Sequence, residues 1–244
     1  MAEVQSDLII WQKCLERRGL RVNREKTVYM YCNFSNANII VIPCPSIEGS
    51  PLKRVEEFKY LGSIVVPKAC IESDIQNRTQ TAWLKWRSLS GILCDSRMPT
   101  KIKGNVYKRA VRPALLYGSE CWPMRKTDEQ KLHVTEIKVL RWSGGVSRTD
   151  KIRNDYIRGS FKVAMVHEKL REKRLRWYGH VMRRDDDHMT KRVMNIEEGK
   201  KGRGQPPITW LQTLKNDLKS TNISERTTHN RTMWRKITRR ADPN

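Results

Sequence analysis

The chain has 244 residues, 49 of them Lys or Arg against 26 Asp or Glu, giving a formal net charge of +23 and an isoelectric point near 10.1. Hydrophobic residues make up 38% and tryptophan occurs eight times, which excludes a disordered polar tail and leaves enough apolar material for a packed core. A positive charge of that size repels itself unless a polyanion screens it, so nucleic acid is the expected partner and an anionic membrane surface the alternative.

In chain order, Val4 to Arg18 reads as a helix with Val4, Leu8, Trp11 and Leu15 on one face and Gly19 as its stop. A strand is expected over Thr27–Cys32 and another over Asn38–Cys44. A Gly-Ser-Pro turn follows within IEGSPLKRV, then a strand over Glu56–Val66. From residue 71 the pattern turns helical. Ile75, Thr79, Ala82, Trp86 and Leu89 share a face of a helix over 71–93, and Pro99 opens a helix that Pro113 ends or kinks. Thr127 with Gln130 fits a capping box for a helix closed by Gly144-Gly145, and Ser147–Arg158 suggests another short helix.

Phe161–Arg184 reads as a long amphipathic helix with Val163, Val166, Leu170, Trp177 and Val181 on its buried stripe. That spacing turns Tyr178 and His180 toward the surface. A Gly/Pro/basic linker is expected over 199–207, followed by two short helices in ITWLQTLKNDL and RTMWRKITRR. No apolar run reaches the length of a membrane span. The first residues, MAEVQSDLIIWQKC, lack the regions of a signal peptide, so an intracellular setting, nuclear or cytoplasmic, is expected.

The six cysteines all lie at or before Cys121 and the five histidines all follow it. Without ligands clustered at short spacing no zinc finger is expected, and the cysteines read as reduced structural thiols. The triplet Asp185-Asp186-Asp187 invites a metal-site reading. Neighbouring residues at a helix end point in different directions, however, so three of them do not converge on one ion. A solvated turn is expected instead, with Asp187 as an N-cap for HMTKRVM.

LERRGLRVNREKTVYM (Leu15–Met30) resembles the end of the palm of a non-LTR retrotransposon reverse transcriptase, the region lettered motif D. FKYLGS (Phe58–Ser63) resembles its motif E, the primer-grip hairpin. ALLYGSECW (Ala114–Trp122) is similar to the thumb of the same elements. RLRWYGHVMRRDDD and GRGQPPITWLQTLKNDL are similar to their C-terminal segment, with RTE-like elements that also encode an endonuclease as the nearest group. The resemblance implies an α+β fold. A partial palm with a short antiparallel sheet (1–66) precedes a mostly helical thumb (67–158) and a basic helical C-terminal segment (159–244).

The resemblance also implies RNA-directed DNA polymerase chemistry, dependent on Mg2+, for the parent family. The paired catalytic aspartates of that family precede motif D, and here Asp7 is the only aspartate in the first seventy residues. The expectation is therefore a truncated fragment that binds RNA and DNA, as primer–template, without a cofactor or polymerase activity of its own. The alternatives are an active polymerase completed by upstream sequence and a recruited non-catalytic interaction protein or relic.

Lys26 matches the motif D lysine, a weak catalytic carry-over. The nucleic-acid-binding candidates are Phe58, Lys59, Tyr60, Leu61 and Gly62 of the hairpin, Arg174, Arg176, Tyr178 and His180 of the aromatic-basic helix, and Lys200, Lys201 and Arg203 of the linker. Aromatic rings can stack on unpaired bases while cations meet phosphates.

Overall fold

A computed structural model describes residues 2–32, 44–67, 70–194 and 208–243. The chain divides into two compact units, residues 1–74 and 75–244, and the α+β class expected from the sequence is what it adopts. The strand expected over Asn38–Cys44 lies outside the described residues except for Cys44. The linker over 199–207 lies wholly outside them.

The first unit opens with α1 (Ala2–Glu16), which Gly19 closes in a left-handed conformation (φ 77°) with Leu20 N–H bonded to Leu15 O. The inward line runs through Gln5, Leu8, Gln12 and Leu15 rather than the expected Val4, Leu8, Trp11 and Leu15, and Trp11 is 73% exposed. The polar anchor accounts for the difference. The Gln5 side chain donates to Ser46 O at 2.9 Å and accepts from Ser46 N at 2.7 Å, which fixes the rotation of the helix.

Among the described residues six short strands follow: β1 (Val28–Tyr29), β2 (Ser46–Ile47), β3 (Ser50–Pro51), β4 (Lys53–Arg54), β5 (Phe58–Tyr60) and β6 (Ser63–Val65). They form three two-stranded pieces instead of one antiparallel sheet. The β1–β4 pair is parallel; β2–β3 and β5–β6 are antiparallel. The chain reverses at Glu48-Gly49, with positive φ at both residues, so Ser50 and Pro51 are strand and not turn. The strand expected over Glu56–Val66 is likewise a hairpin, reversed at Leu61-Gly62 (φ 47° and 84°). Among the described residues, burial here is confined to Pro45, Ile47, Leu52 and Asp74.

The second unit is helical. It comprises α2 (Glu72–Ser88, whose first turn belongs to the first unit), α3 (Ser90–Leu93), α4 (Thr100–Val106), α5 (Arg112–Leu115), α6 (Lys126–Gly144), α7 (Asn154–Phe161), α8 (Val166–Met182), α9 (Met189–Met194), α10 (Trp210–Thr221) and α11 (Arg231–Thr238). Ile75, Ala82 and Trp86 of α2 are buried as their spacing implies, and the helix breaks at Leu89. Between α4 and α5 a π-turn over Tyr107–Val111 adds the extra residue that lets Pro113 follow without breaking the helical path.

The N-terminus of α6 begins before the expected Thr127 box. Arg125 occupies the cap position and its N–H donates to Asp128 Oδ2 at 3.3 Å, while Gly145 (φ 65°) ends the helix as expected. The predicted helices over Ser147–Arg158 and Phe161–Arg184 shift to α7 and α8. Lys162 adopts a left-handed conformation (φ 53°) and separates them.

The centre of this unit is α8, packed against α6, α10, α11 and the 3₁₀ turns at Ser119–Cys121 and Glu225–His229. Leu175 and Tyr178 of α8 form a core cluster with Leu214 and Leu218 of α10 and Trp234 of α11. Each large apolar side chain so buried contributes about 1.5–3 kcal/mol. Trp234 reaches this position because Gly179 has no side chain: a Cβ there would lie 2.2 Å from Trp234 Nε1, which instead donates to Leu175 O at 2.9 Å. Gly104 serves α4 and α7 in the same way, its Cβ position being 1.8 Å from Phe161 O.

On the other side of α8, the buried carboxylate of Glu136 accepts from Tyr107 OH (3.1 Å), Arg158 Nε (3.1 Å) and Val166 N (3.3 Å). Burial pushes the Glu136 carboxyl above its usual range against the pull of Arg158, and pushes the Tyr107 phenol well up. No helix among the described residues is long and apolar enough to cross a membrane.

Candidate nucleic-acid interface

The solvent side of α8 carries Lys173, Arg176, Trp177 and His180. Their helical spacing sets them in one row, which Arg183 and Arg184 extend past the helix end. Across from them Arg231 and Arg235 stand one turn apart on α11, on either side of the buried Trp234. The two helices enclose a groove of about 730 Å³. Among the described residues its lining holds six Lys and Arg side chains, Lys173, Arg176, Arg183, Arg184, Arg231 and Arg235, with Glu120 as the one carboxylate.

The rings of Trp177 and His180 stack in this groove, with centroids 5.3 Å apart and planes 25° from parallel. Arg184 Nη2 lies 3.1 Å from His180 Nε2. Arg183 Nη1 donates to Thr228 O at 2.7 Å and Arg176 pairs with Glu172, so the arginines are held in place. Partial burial lowers the His180 pKa, and Arg184, Arg183 and Arg231 lower it further. Burial and Arg231 also lower Arg183, and burial lowers Lys173 with help from Arg176. Cations that weaken one another in this way mark a surface suited to an anion.

Two candidates from the same stretch are corrected by their burial. Arg174 is 1% exposed and bound to Asp217, with Glu129 at 3.5 Å. It cannot reach a ligand in solvent. Tyr178 is 4% exposed, not on the surface, and burial with Glu225 beside it pushes its phenol up to about 12. Trp177, assigned to the buried stripe by spacing, is the ring that lies in the groove. The physical reason is that α8 is covered from two sides, by α6 and by α10 with α11, so its buried arc is wider than a single stripe and is centred elsewhere.

Arg176 and His180 are exposed where expected. Arg231 and Arg235 were missed; their i, i+4 spacing in RTMWRKITRR is the signal that could have found them. Lys200, Lys201 and Arg203 lie outside the described residues.

In the first unit, Phe58 and Tyr60 share a face of the β5–β6 hairpin with ring centroids 6.3 Å apart. Tyr60 is 60% exposed and Leu61, at the turn, 74%. Lys59 is exposed, and Gly62 supplies the second positive φ of the turn. Asp74 of α2 accepts from Ile64 N at 3.2 Å and ties the hairpin to the helix start. Lys26 is exposed in a 3₁₀ turn, its N–H donating to Asn23 Oδ1 at 3.0 Å.

Asp185–Asp187 form an exposed turn between α8 and α9 in which Asp186 pairs with Lys191 at 2.7 Å. His188, not Asp187, caps α9: its Nδ1 accepts from Thr190 N at 3.3 Å. Among the described residues no three His, Cys, Asp or Glu side chains group as metal ligands.

No protein-family model matches the chain, and no solved structure matches it. It is 28% identical over 213 residues to a transposon-derived protein of Caenorhabditis elegans, an alignment covering 85% of this chain and 75% of that protein. It is 25% identical over 177 residues to the RNA-directed DNA polymerase from mobile element jockey of Drosophila funebris. That alignment covers 69% of this chain but 18% of the polymerase. These similarities, spread over most of a basic helical chain, support a retrotransposon-derived relationship.

Proposed function

We propose that these 244 residues are the post-catalytic part of a retroelement reverse transcriptase, binding RNA and DNA without synthesising DNA by themselves. The observation that carries this reading is the groove between α8 and α11, where cations from two helices face one another around a stacked Trp177–His180 pair. Such a surface contacts phosphates irrespective of sequence and offers a ring to an unpaired base. The exposed rings of Phe58 and Tyr60 on the β5–β6 hairpin give the first unit a contact of its own, in keeping with a primer grip. Carboxylates of the helical unit are engaged as structural partners: the buried Glu136 with Arg158, the buried Asp217 with Arg174 and the half-buried Asp242 with Arg112. That use of its acids favours binding over two-metal chemistry, which needs carboxylates converging on ions.

The test is the salt dependence of binding to a primer–template hairpin. Affinity should fall steeply with salt, and replacing Arg184, Arg231 and Arg235 together by Ala should flatten the logarithmic slope by roughly 3, about one per lost phosphate contact. Salt-insensitive binding, or an unchanged slope in the triple variant, contradicts the groove. Incorporation of nucleotides by the purified chain with Mg2+ contradicts the non-catalytic half.

A further inference from the structure

A second recess lies away from the α8–α11 groove, between α2 and the C-terminal end of α6. Its aromatic wall is built from three tryptophans. Trp86 meets Trp83 edge-on at 5.5 Å and Trp142 edge-on at 6.0 Å. Trp86 is 9% exposed and fixed, its indole N–H donating to Ser143 Oγ at 2.9 Å, which in turn donates to Val139 O at 2.8 Å. Trp142 is 65% exposed, a large apolar face that the fold holds in water instead of covering.

The far wall is the loop after Gly145. Arg141 folds it back, donating to Ser147 O at 2.9 Å and Ile152 O at 2.6 Å. The enclosed volume is about 840 Å³, within the roughly 300–1,000 Å³ that holds small organic ligands. Exposed Arg87, Lys138 and Arg148 stand around its mouth, and among the described residues no carboxylate lines it.

We infer that this recess takes an unpaired base of a single-stranded nucleic acid, stacked on Trp142, with neighbouring phosphates on Arg87, Lys138 and Arg148. Two features select this occupant. An aromatic wall anchored by the hydrogen-bonded Trp86, with the exposed Trp142 packed edge-on against it, favours a flat aromatic ring that can stack on the open indole face. The cationic mouth then favours a ring attached to a polyanion. A paired duplex base is excluded because its faces are already stacked on its neighbours. None of these residues lines the α8–α11 groove, so the recess stands or falls independently of it.

The experiment compares the full chain binding a short oligothymidylate with an abasic deoxyribose-phosphate oligomer of the same length and charge. The intact chain should prefer the oligomer with bases by about tenfold, the effect of stacking one base. Trp142→Ala should lose that preference while keeping its affinity for the abasic oligomer, and Trp142→Phe should retain most of it. The groove variant lacking Arg184, Arg231 and Arg235 should weaken both oligomers alike, which separates failure of the groove from failure of the recess.

An intact chain without base preference, or a Trp142→Ala chain that keeps it, overturns the inference. So does polyglutamate that displaces the oligomer from the intact chain but not from Trp142→Ala, since that outcome names an acidic peptide as the occupant. If Trp142→Ala does not fold, photocrosslinking of an iodouracil-substituted oligomer to the unaltered chain decides. Adducts on Trp142 or Trp83 support the site, and adducts confined elsewhere overturn it.

Discussion

Arg174 of α8 and Asp217 of α10 meet in a buried two-pronged ion pair, with Nε donating to Oδ2 at 2.6 Å and Nη2 to Oδ1 at 3.1 Å. Arg171 approaches the same carboxylate at 3.5 Å. The pair fixes α10 against α8 beside their shared apolar cluster. An arginine that looks, in RLRWYGH, like one more cation for a polyanion is thus a strut inside the protein.

Arg174→Ala should accordingly destabilise the helical unit by about 3 kcal/mol, because it leaves the buried Asp217 with only the longer 3.5 Å contact to Arg171. Replacing both partners by Leu should recover most of that loss, since an apolar pair carries no desolvation cost. Urea titration of the three variants measures this. A single variant as stable as the parent would show that the pair is open to water.

Gly179→Ala tests the close approach of α8 and α11. A Cβ at 2.2 Å from Trp234 Nε1 forces the indole away and breaks its bond to Leu175 O. Overpacking and the lost hydrogen bond together should cost about 2–4 kcal/mol, whereas Ala in an ordinary helix position gains stability over Gly. The sign of the change in melting temperature therefore decides whether the contact exists.

The pH dependence of binding should reside partly in His180. Partial burial, with the nearby arginines, lowers its pKa, so it takes up a proton at a lower pH than an ordinary histidine does. That proton adds a cation to the groove, and bound phosphate favours the charged form. Affinity for an oligonucleotide should rise as pH falls from 7 toward 5, and His180→Gln should flatten the rise. For folding the sign is opposite. The unfolded chain takes up the proton first, so the contribution of His180 to stability is complete above the ordinary histidine pKa and declines below it. Equal pH profiles for the two proteins would remove His180 from the groove's function.

Asp242 pins the end of the described chain to the π-turn region. Burial alone would raise its carboxyl, but hydrogen bonds from both terminal nitrogens of Arg112 and from Ala164 N, together with nearby Lys169, outweigh that and hold it at about 2. Its stabilisation is present above the ordinary aspartate range and is lost as pH falls through about 2. Allowing for solvent screening, Asp242→Asn should cost about 1–2 kcal/mol at pH 7 and little at pH 2. A loss that is the same at both pH values would mean the contact depends on shape and not on charge.

Local signals were read well where one residue's conformation carries them. Gly19 and Gly145 end their helices because a left-handed residue there costs glycine nothing, and Ile75, Ala82 and Trp86 are buried at the spacing that their helix requires. Reading failed where a turn was written in residues that do not announce one. Leu61 takes a positive φ in the hairpin, and only its partner Gly62 hinted at it. It failed again on α8, whose apolar stripe placed Trp177 inside and Tyr178 outside, whereas Tyr178 is buried and Trp177 lines the groove. The stripe presumes one covering partner and α8 has several. Of the candidate groove, Arg176 and His180 were legible, while Arg231 and Arg235 belong to a helix more than forty residues further along the chain.

Composition and short-range spacing alone determined the cationic character, the succession of short strands and then helices that makes an α+β chain, and most helix positions, because each depends on residues within a few turns of one another. Only tertiary structure decided which arginines are struts and which face solvent, and which aromatic rings can meet a base. Those outcomes depend on which distant helix covers each side of α8, and on Gly179 admitting Trp234 to the core, so burial by segments remote in sequence assigns the side chains their roles.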